Sequence, residues 1–160
     1  MKLIAILAAG LLMQVGCVSN REAVREAPAP AGLGTLALVE FENLTDQPNA
    51  SQAVMGILRV ELESRGIPLI PETAAGAAAA TAGADHLIMG RITEYHYRHG
   101  LTEQSVVGFT IRAVSAKTGK TVWSATCADR GAASFTGGES LTEVTRRICQ
   151  KAADRLSASK

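Results

Sequence analysis

Aromatic residues are scarce in this chain: its 160 residues include one Trp, two Tyr and three Phe. Proteins that stack nucleobases on aromatic rings need more of them, so an RNA-binding platform of that kind is excluded. The 16 Lys and Arg balance 15 Asp and Glu, and the formal charge of +1 gives no sign of binding to nucleic acids or anionic membranes. Three Cys and three His, scattered along the chain, are too few for a structural zinc site.

The N-terminus carries a nearly continuous apolar run. Residues 1–16 read MKLIAILAAGLLMQVG, with Lys2 as the only charge. The run is shorter than the about 20 residues that span a bilayer, and it is typical of a secretory signal peptide. The remaining chain is apolar enough for one folded domain, because 47% of all residues are hydrophobic.

The sequence Gln14-Val15-Gly16-Cys17 resembles the end of a bacterial lipoprotein signal, in which Leu is usual at the position of Gln14. The resemblance implies that residues 1–16 are removed and that Cys17 becomes the lipidated N-terminus, anchored firmly by several acyl chains. Val18 in place of Asp implies delivery to the outer membrane, by analogy with enteric sorting. An ordinary signal peptide with a chance Cys is the alternative.

Residues 17–34 follow as a segment of charged residues, Ala and two Pro, with few bulky apolar side chains. This composition predicts a flexible tether between the lipidated Cys17 and the folded domain. We expect the domain to occupy residues 35–158.

The domain has an α/β (α+β) pattern with the order β-α-β-α-β-β-β-α, which predicts a mixed sheet of about five strands with helices on one face. The first half comprises a strand at 35–41, a turn at 43–49, a helix at about 49–64, a brief strand at 67–70 and an Ala-rich helix at 72–84. The second half comprises strands at 85–98, 105–116 and 121–128, with turns at 101–104 and 117–120, a loop at 129–138 and a helix at 141–156. Ser140 and Glu143 have the spacing of a capping box at the start of the last helix.

No catalytic or metal site emerges from the motifs. His96 and His99 point to opposite faces of a strand, whereas His86 and His96 share a face but lie ten residues apart. Glu40 and Glu42 share a strand face, but nothing supplies the apolar pocket that a glycosidase requires. We therefore expect no metal, no cofactor and no enzymatic activity.

Trp123 has two interpretations, and so does the pair of cysteines Cys127 and Cys149. Trp123 shares a strand face with Ala125 and Cys127, which indicates core packing, but indole also suits an interface or a membrane surface. If the chain is exported, Cys127 on a strand and Cys149 on the last helix are able to form a disulfide. The alternative is two buried thiols that pack as small hydrophobic residues.

Two longer stretches carry a family resemblance. The sequences LALVEFENLTDQPNASQAVMGIL and ADHLIMGRITEYHYRHGLTEQSVVGFTIRAVSAKTGKTVWSA resemble the CsgG/LpoB/TolB-N-terminal-like superfamily of bacterial envelope proteins. The Glu-Tyr-x-Tyr-Arg run, the Val-Gly centre of the next strand and the last helix are most similar to the PelC family. PelC-like proteins are outer-membrane lipoproteins of Pel polysaccharide export, and the resemblance covers about residues 35–156.

This resemblance implies a non-enzymatic, lipid-anchored protein on the periplasmic face of the outer membrane. It implies a homo-oligomeric ring that gathers a cationic polysaccharide and guides it to an outer-membrane porin, in biofilm formation. Carboxylates that face the ring would favour such a polymer, and the candidates are Glu40, Glu42, Asp46, Glu94, Glu103 and Asp129.

Two alternatives come from the same superfamily. An LpoB-like activator of a peptidoglycan synthase would need a long linker, and residues 18–34 form a short one. A CsgG-like secretion component would expose strands to lipid. Arg91, Glu94 and Arg112 place charges on both faces of the predicted strands, which argues against that exposure.

Overall fold

The computed structural model describes residues 25–26, 32–71, 83–98, 104–132 and 138–158. The elements in chain order are β1 (Arg25–Glu26), β2 (Leu36–Leu38), β3 (Glu42–Asn43), α1 (Ala50–Ser64), β4 (His86–Arg98), β5 (Gln104–Ser115), β6 (Thr121–Arg130) and α2 (Leu141–Ser157). The predicted signal peptide, Cys17, the Ala-rich helix up to residue 82 and most of the turn at 101–104 lie outside the described residues.

One mixed sheet organises the domain. Its strand order is β1-β6-β5-β4-β2, and β3 continues along β4 beyond β2. The strands β4, β5 and β6 form an antiparallel meander, whereas β2 and β3 run parallel to β4. Both helices contribute to a single core against one face of the sheet. The predicted α/β (α+β) class, with about five strand positions and helices on one face, is confirmed.

The helix α1 forms as its periodicity predicts. Val54, Leu58 and Leu62 recur every four residues and are fully buried. Gly66 follows with φ of 66°, a left-handed conformation that glycine adopts without strain, and it ends the helix where the sequence indicates.

The helix α2 begins with the predicted capping box. The Ser140 hydroxyl accepts a hydrogen bond from the Glu143 backbone N–H at 3.2 Å, and the Glu143 carboxylate accepts one from the Ser140 N–H at 2.9 Å. The two helices are joined by Arg65, which contacts Asp154 at 2.7 Å. No helix in the described part of the chain is long and apolar enough to cross a membrane.

The first predicted strand is interrupted. Strand pairing stops after Leu38 and resumes at Glu42, and Leu38 and Phe41 both enter the core although they lie three residues apart. The alternation of a regular strand is therefore broken between β2 and β3. Phe41 packs over Gly90 of β4, where an added Cβ atom would lie 2.5 Å from the Phe41 ring.

The prediction of a strand at 67–70 is wrong. The segment makes only an isolated bridge between Leu69 and Leu36, with hydrogen bonds from the Leu36 N–H to the Pro68 carbonyl and from the Ile70 N–H to the Leu36 carbonyl. Pro68 and Pro71 remove backbone donors on both sides of Leu69, so longer pairing is not available.

The folded part of the chain begins before residue 35. Arg25 and Glu26, within the predicted tether, pair with Thr126 and Ala125 at the outer edge of β6. Leu33 is buried in the core. The predicted boundary at residue 35 is therefore too late, because composition does not report pairing between distant segments.

Candidate functional site

A β-bulge at Thr93 determines which side chains of β4 reach the open face of the sheet, defined here as the face opposite α1 and α2. Ile92 pairs with Phe109 and Glu94 pairs with Gly108, which leaves Thr93 as an extra residue of β4 without a pairing partner on β5. The bulge shifts the alternation by one residue. Arg91 before it and Glu94 after it consequently lie on the same face.

Three charged side chains of β4 and β5 therefore lie on one face of the sheet. Arg91, Glu94 and Arg112 all lie on the open face, whereas Ile92 and Phe109 of the same strands are in the core. The prediction that charges lie on both faces of the strands is wrong. It assumed strict alternation through residue 93.

Glu42 lies on the open face and is exposed. Its carboxylate accepts a hydrogen bond from the Arg91 guanidinium at 2.7 Å, across the parallel pairing of β3 with β4. Both side chains are more than half exposed, so solvent screens this ion pair. Sequence reasoning missed this ion pair because only the strand register brings together two residues that are 49 apart.

Glu94 is exposed beside a glycine. A Cβ atom added at Gly108 would lie 3.3 Å from the Glu94 carboxylate, and the Thr93 hydroxyl donates to the Gly108 carbonyl at 3.2 Å. The missing side chain at Gly108 therefore leaves room for the Glu94 side chain over the sheet. Asp46 is also exposed, on the turn after β3, and Glu103 lies outside the described residues.

Glu40 lies elsewhere, in the irregular stretch between β2 and β3. It borders a groove of ≈ 420 Å³ between the edge of the sheet and α1, together with Gln52, Met55 and Arg59. Glu42 instead contacts Arg91. The prediction that Glu40 and Glu42 share a strand face is wrong, because the strand is interrupted between them.

Asp129 is not an open carboxylate, which corrects its place among the candidates for polymer contact. The strand β6 extends to Arg130, so Asp129 lies on a strand rather than in a loop, and it is 3% exposed. Its carboxylate contacts Arg147 of α2 at 2.6 Å, and Arg147 also contacts Glu139. Burial opposes the charged form of Arg147, but hydrogen bonds to Asp129 and Glu139 outweigh it and raise the pKa of the guanidinium.

Trp123 belongs to the core. It is 1% exposed and packs on the same face of β6 as Ala125 and Cys127. Of its two interpretations, core packing is the one that the structure supports. Its indole N–H is buried and has no hydrogen-bond partner among the described residues.

Cys127 and Cys149 are buried thiols that are not joined in a disulfide. Burial and the nearby Cys127 raise the pKa of the Cys149 thiol far above its ordinary value of 9.0. Both side chains pack in the core between β6 and α2, as the second of the two interpretations expects.

His86 and His96 lie on different faces of the sheet. The bulge at Thr93 places His96 on the open face, whereas the Nδ1 atom of His86 lies 2.6 Å from the Leu33 carbonyl oxygen. The expectation that His86 and His96 share a face is wrong for the same reason as the charge pattern. Among the described residues, no group of three or more His, Cys, Asp or Glu is arranged to hold a metal ion.

Known structures share this architecture. Two PelC dodecamers from Paraburkholderia phytofirmans, in different crystal forms, superpose with a TM-score of 0.71 at 25% and 26% sequence identity. The match covers 86% of this chain and 99% of the PelC chain in one, and 85% and 97% in the other. The chain has a PelC-like fold. The predicted PelC-like resemblance is thereby confirmed at the level of the fold.

A lipoprotein from Neisseria meningitidis, GNA1162, has the same fold with a TM-score of 0.56 and 20% identity, over 76% of this chain and 99% of that protein. At this identity the likeness concerns the fold alone. No protein-family model and no curated protein sequence matches the chain.

Proposed function

We propose that this protein is a non-enzymatic, lipid-anchored accessory of Pel-type exopolysaccharide export at the periplasmic face of the outer membrane. It assembles into a homo-oligomeric ring that guides the polymer to a porin. The observation that carries the proposal is the PelC-like fold, which matches PelC dodecamers over nearly the whole PelC chain.

Exposed carboxylates support a cationic polymer as the ligand. Glu42 and Glu94 lie on the open face of the sheet, and Glu40 lies at the rim of the groove beside α1. Glu40 and Glu94 are exposed and attract a polycation through electrostatic steering, and Glu42 remains available for contact because its ion pair with Arg91 is exposed and screened by solvent. Asp129 has no part in this contact because it is buried in the core against Arg147.

Native mass spectrometry of the full chain, extracted from bacterial membranes in mild detergent, tests the assembly. We expect a closed oligomer of many subunits that carries diacylglycerol on Cys17, and a Cys17→Ser variant that lacks the lipid. An acylated monomer would contradict the ring and favour an LpoB-like synthase activator. An unacylated soluble protein would contradict the anchor.

The carboxylates need a separate test in a strain that exports the polymer. A Glu42→Gln, Glu94→Gln double variant should reduce exported polymer several-fold while the oligomer stays intact. Glu63→Gln is the matched control, because Glu63 is an exposed carboxylate on α1 away from the open face. Equal export by the double variant and the control would contradict a role for these carboxylates.

A further inference from the structure

We propose that a depression beside the bulge of β4 binds one sugar residue that carries a free ammonium group. The inference rests on the proposed function, because a cationic polysaccharide presents such residues along its chain. The depression has a volume of ≈ 240 Å³ and lies between β4 and the turn that follows β3. Cavities for drug-sized ligands measure about 300–1,000 Å³, so this smaller one suits a single sugar ring.

The depression forms where the chain leaves β4 at the end of β3. Asn43, the last residue of β3, pairs with Ile92, and the Leu44 N–H still donates to the Ile92 carbonyl at 3.0 Å. No described residue after Leu44 continues this ladder, whereas β4 runs on through the bulge at Thr93. The space between the diverging turn and the bulged strand is the depression.

The walls of the depression are held by hydrogen bonds within the protein. The Asn43 side chain accepts from the Thr45 N–H at 3.0 Å and from the Thr45 hydroxyl at 2.8 Å, and it donates to the Gln47 carbonyl at 2.8 Å. On β4, the Thr93 hydroxyl donates to the Gly108 carbonyl at 3.2 Å. The depression is therefore ordered before any contact, so binding of a ligand costs little further ordering.

Four polar side chains that line the depression are left over for a ligand. The Asp46 carboxylate, the Gln47 amide, the Tyr95 hydroxyl and the His96 imidazole make no hydrogen bond or ion pair with any described residue. The side chains of Asp46, Gln47 and His96 are exposed, and that of Tyr95 is half-buried. In the free protein these groups are hydrated, and a ligand that replaces the water must offer hydrogen bonds of its own.

The chemistry of the four groups matches that of an amino sugar. The Asp46 carboxylate accepts charge-assisted hydrogen bonds from an ammonium group. The amide of Gln47 both donates and accepts, as do the Tyr95 hydroxyl and a neutral His96 ring, and sugar hydroxyls do the same. Leu44 and the Tyr95 ring supply apolar surface against which the C–H groups of a pyranose ring pack.

Asp46 also differs from other carboxylates of the domain in its surroundings. Glu42 contacts Arg91 and Asp129 contacts Arg147, whereas no described cation pairs with Asp46. An isolated exposed carboxylate attracts any cation, but neutral hydrogen-bonding groups around it select a ligand that carries hydroxyls as well. The depression is therefore able to recognise the sugar ring in addition to its charge.

Surface plasmon resonance on the full acylated protein tests this site. The protein is captured through its own lipid on phosphatidylcholine vesicles, which carry no net charge, and vesicles without protein form the reference channel. The analytes are the tetramer of glucosamine, in a mildly acidic buffer that keeps its amines charged, and the fully N-acetylated tetramer. We expect saturable binding of the glucosamine tetramer, at least fivefold tighter than binding of the N-acetylated one.

Three variants locate the binding. Asp46→Asn keeps the shape of the side chain and should weaken binding of the glucosamine tetramer at least fivefold, while it removes the preference over the N-acetylated tetramer. Gln47→Ala should weaken binding of both tetramers by a similar factor, because the amide contacts hydroxyls that both carry. Glu63→Gln is the matched control, since it removes an exposed carboxylate of α1, and we expect a change of less than twofold.

Three results would overturn the proposal. One is equal weakening by Asp46→Asn and Glu63→Gln, which would show attraction by the charge of the whole surface. The others are absence of saturable binding by the parent protein and tighter binding of the N-acetylated tetramer. Circular dichroism checks that each variant keeps the fold, as expected for exposed side chains without hydrogen bonds to described residues.

The same preparations separate this proposal from the proposed function. An acylated monomer that binds the glucosamine tetramer through Asp46 would contradict the ring and support the site. An acylated ring without saturable binding would overturn the site alone. If the chain carries no lipid, the anchor is contradicted, and amine coupling to the sensor replaces lipid capture so that the comparison of Asp46→Asn with Glu63→Gln still decides the site.

Discussion

Gly90 and Phe41 show at the scale of single residues how one side chain depends on the absence of another. The Phe41 ring occupies the space over Gly90, and both lie on the core face of the sheet. This contact is possible because β3 runs parallel to β4 after the interruption at residues 39–41. The glycine is thus required for packing, without any need for an unusual φ.

Gly90→Ala should destabilise the fold. The added methyl group would lie 2.5 Å from the Phe41 ring, and overpacking of this kind typically costs about 1–3 kcal/mol. Urea denaturation measures the change. Gly56→Ala is the control, because Gly56 is exposed on α1 with no atom within 4 Å of the added Cβ, and we expect it to be neutral or slightly stabilising. Equal stability of the two variants would contradict the assigned packing.

Asp129 is a second residue whose partner decides its role. Asp129→Asn keeps the shape but leaves Arg147 without its buried carboxylate. Breaking a buried pair costs about 3–5 kcal/mol, and a smaller loss of about 2 kcal/mol is expected here because Arg147 is one-third exposed and keeps Glu139.

The exposed ion pair of Glu42 with Arg91 provides the comparison in the same denaturation experiment. Glu42→Gln should change the free energy of unfolding by less than about 1 kcal/mol, because solvent screens both groups. A larger loss for Glu42→Gln than for Asp129→Asn would contradict the different burial of the two carboxylates.

The N-terminus of α2 is the element whose local sequence best predicts its structure. Ser140→Ala removes the hydroxyl that accepts from the Glu143 N–H, and loss of such a cap costs about 1 kcal/mol. Thermal unfolding monitored by circular dichroism measures this change. No loss of stability would show that the Ser140 hydroxyl is not the cap.

The capping box also predicts a pH dependence. Hydrogen bonds from the Ser140 backbone and side chain lower the pKa of Glu143 below its ordinary value of 4.5. The folded state therefore favours the carboxylate, and the resulting stability is present above about pH 4.5 and lost as the pH falls through the folded pKa. In urea titrations, the stability difference between the parent and Glu143→Gln should shrink on acidification. A difference that is independent of pH would contradict this assignment.

At the scale of the whole molecule, the two buried thiols report on global unfolding. Cys127 lies on β6 and Cys149 on α2, and both face the shared core. Burial raises the pKa of the Cys149 thiol, so the reactive thiolate is rare as well as inaccessible.

A Cys17→Ser variant should therefore react with a thiol reagent at pH 8 only as fast as it unfolds. We expect intact-mass measurements to show no label in native buffer and two labels above the urea midpoint, without a singly labelled species in between. Rapid labelling of one cysteine in native buffer would contradict the burial. A mass lower by two hydrogens would show that a disulfide has formed instead.

The sequence by itself determined the elements whose signals are local. The local pattern of residues 49–64 predicted α1, and the capping box predicted the start of α2. The predicted turn at 117–120 is the hairpin between β5 and β6, where Gly119 has a φ of 68°. Each signal lies within one element and depends on backbone geometry alone. The family resemblance, carried by two longer stretches of sequence and the order of their motifs, predicted the PelC-like fold.

Only the tertiary structure decided which side chains share a surface. The bulge at Thr93 brought Arg91 and Glu94 to one face, and a carboxylate predicted to contact polymer was buried because α2 supplies Arg147 to Asp129. These outcomes depend on register and on partners far away in the chain. A single residue of register reverses the face of every side chain that follows, and no local pattern in the sequence records it.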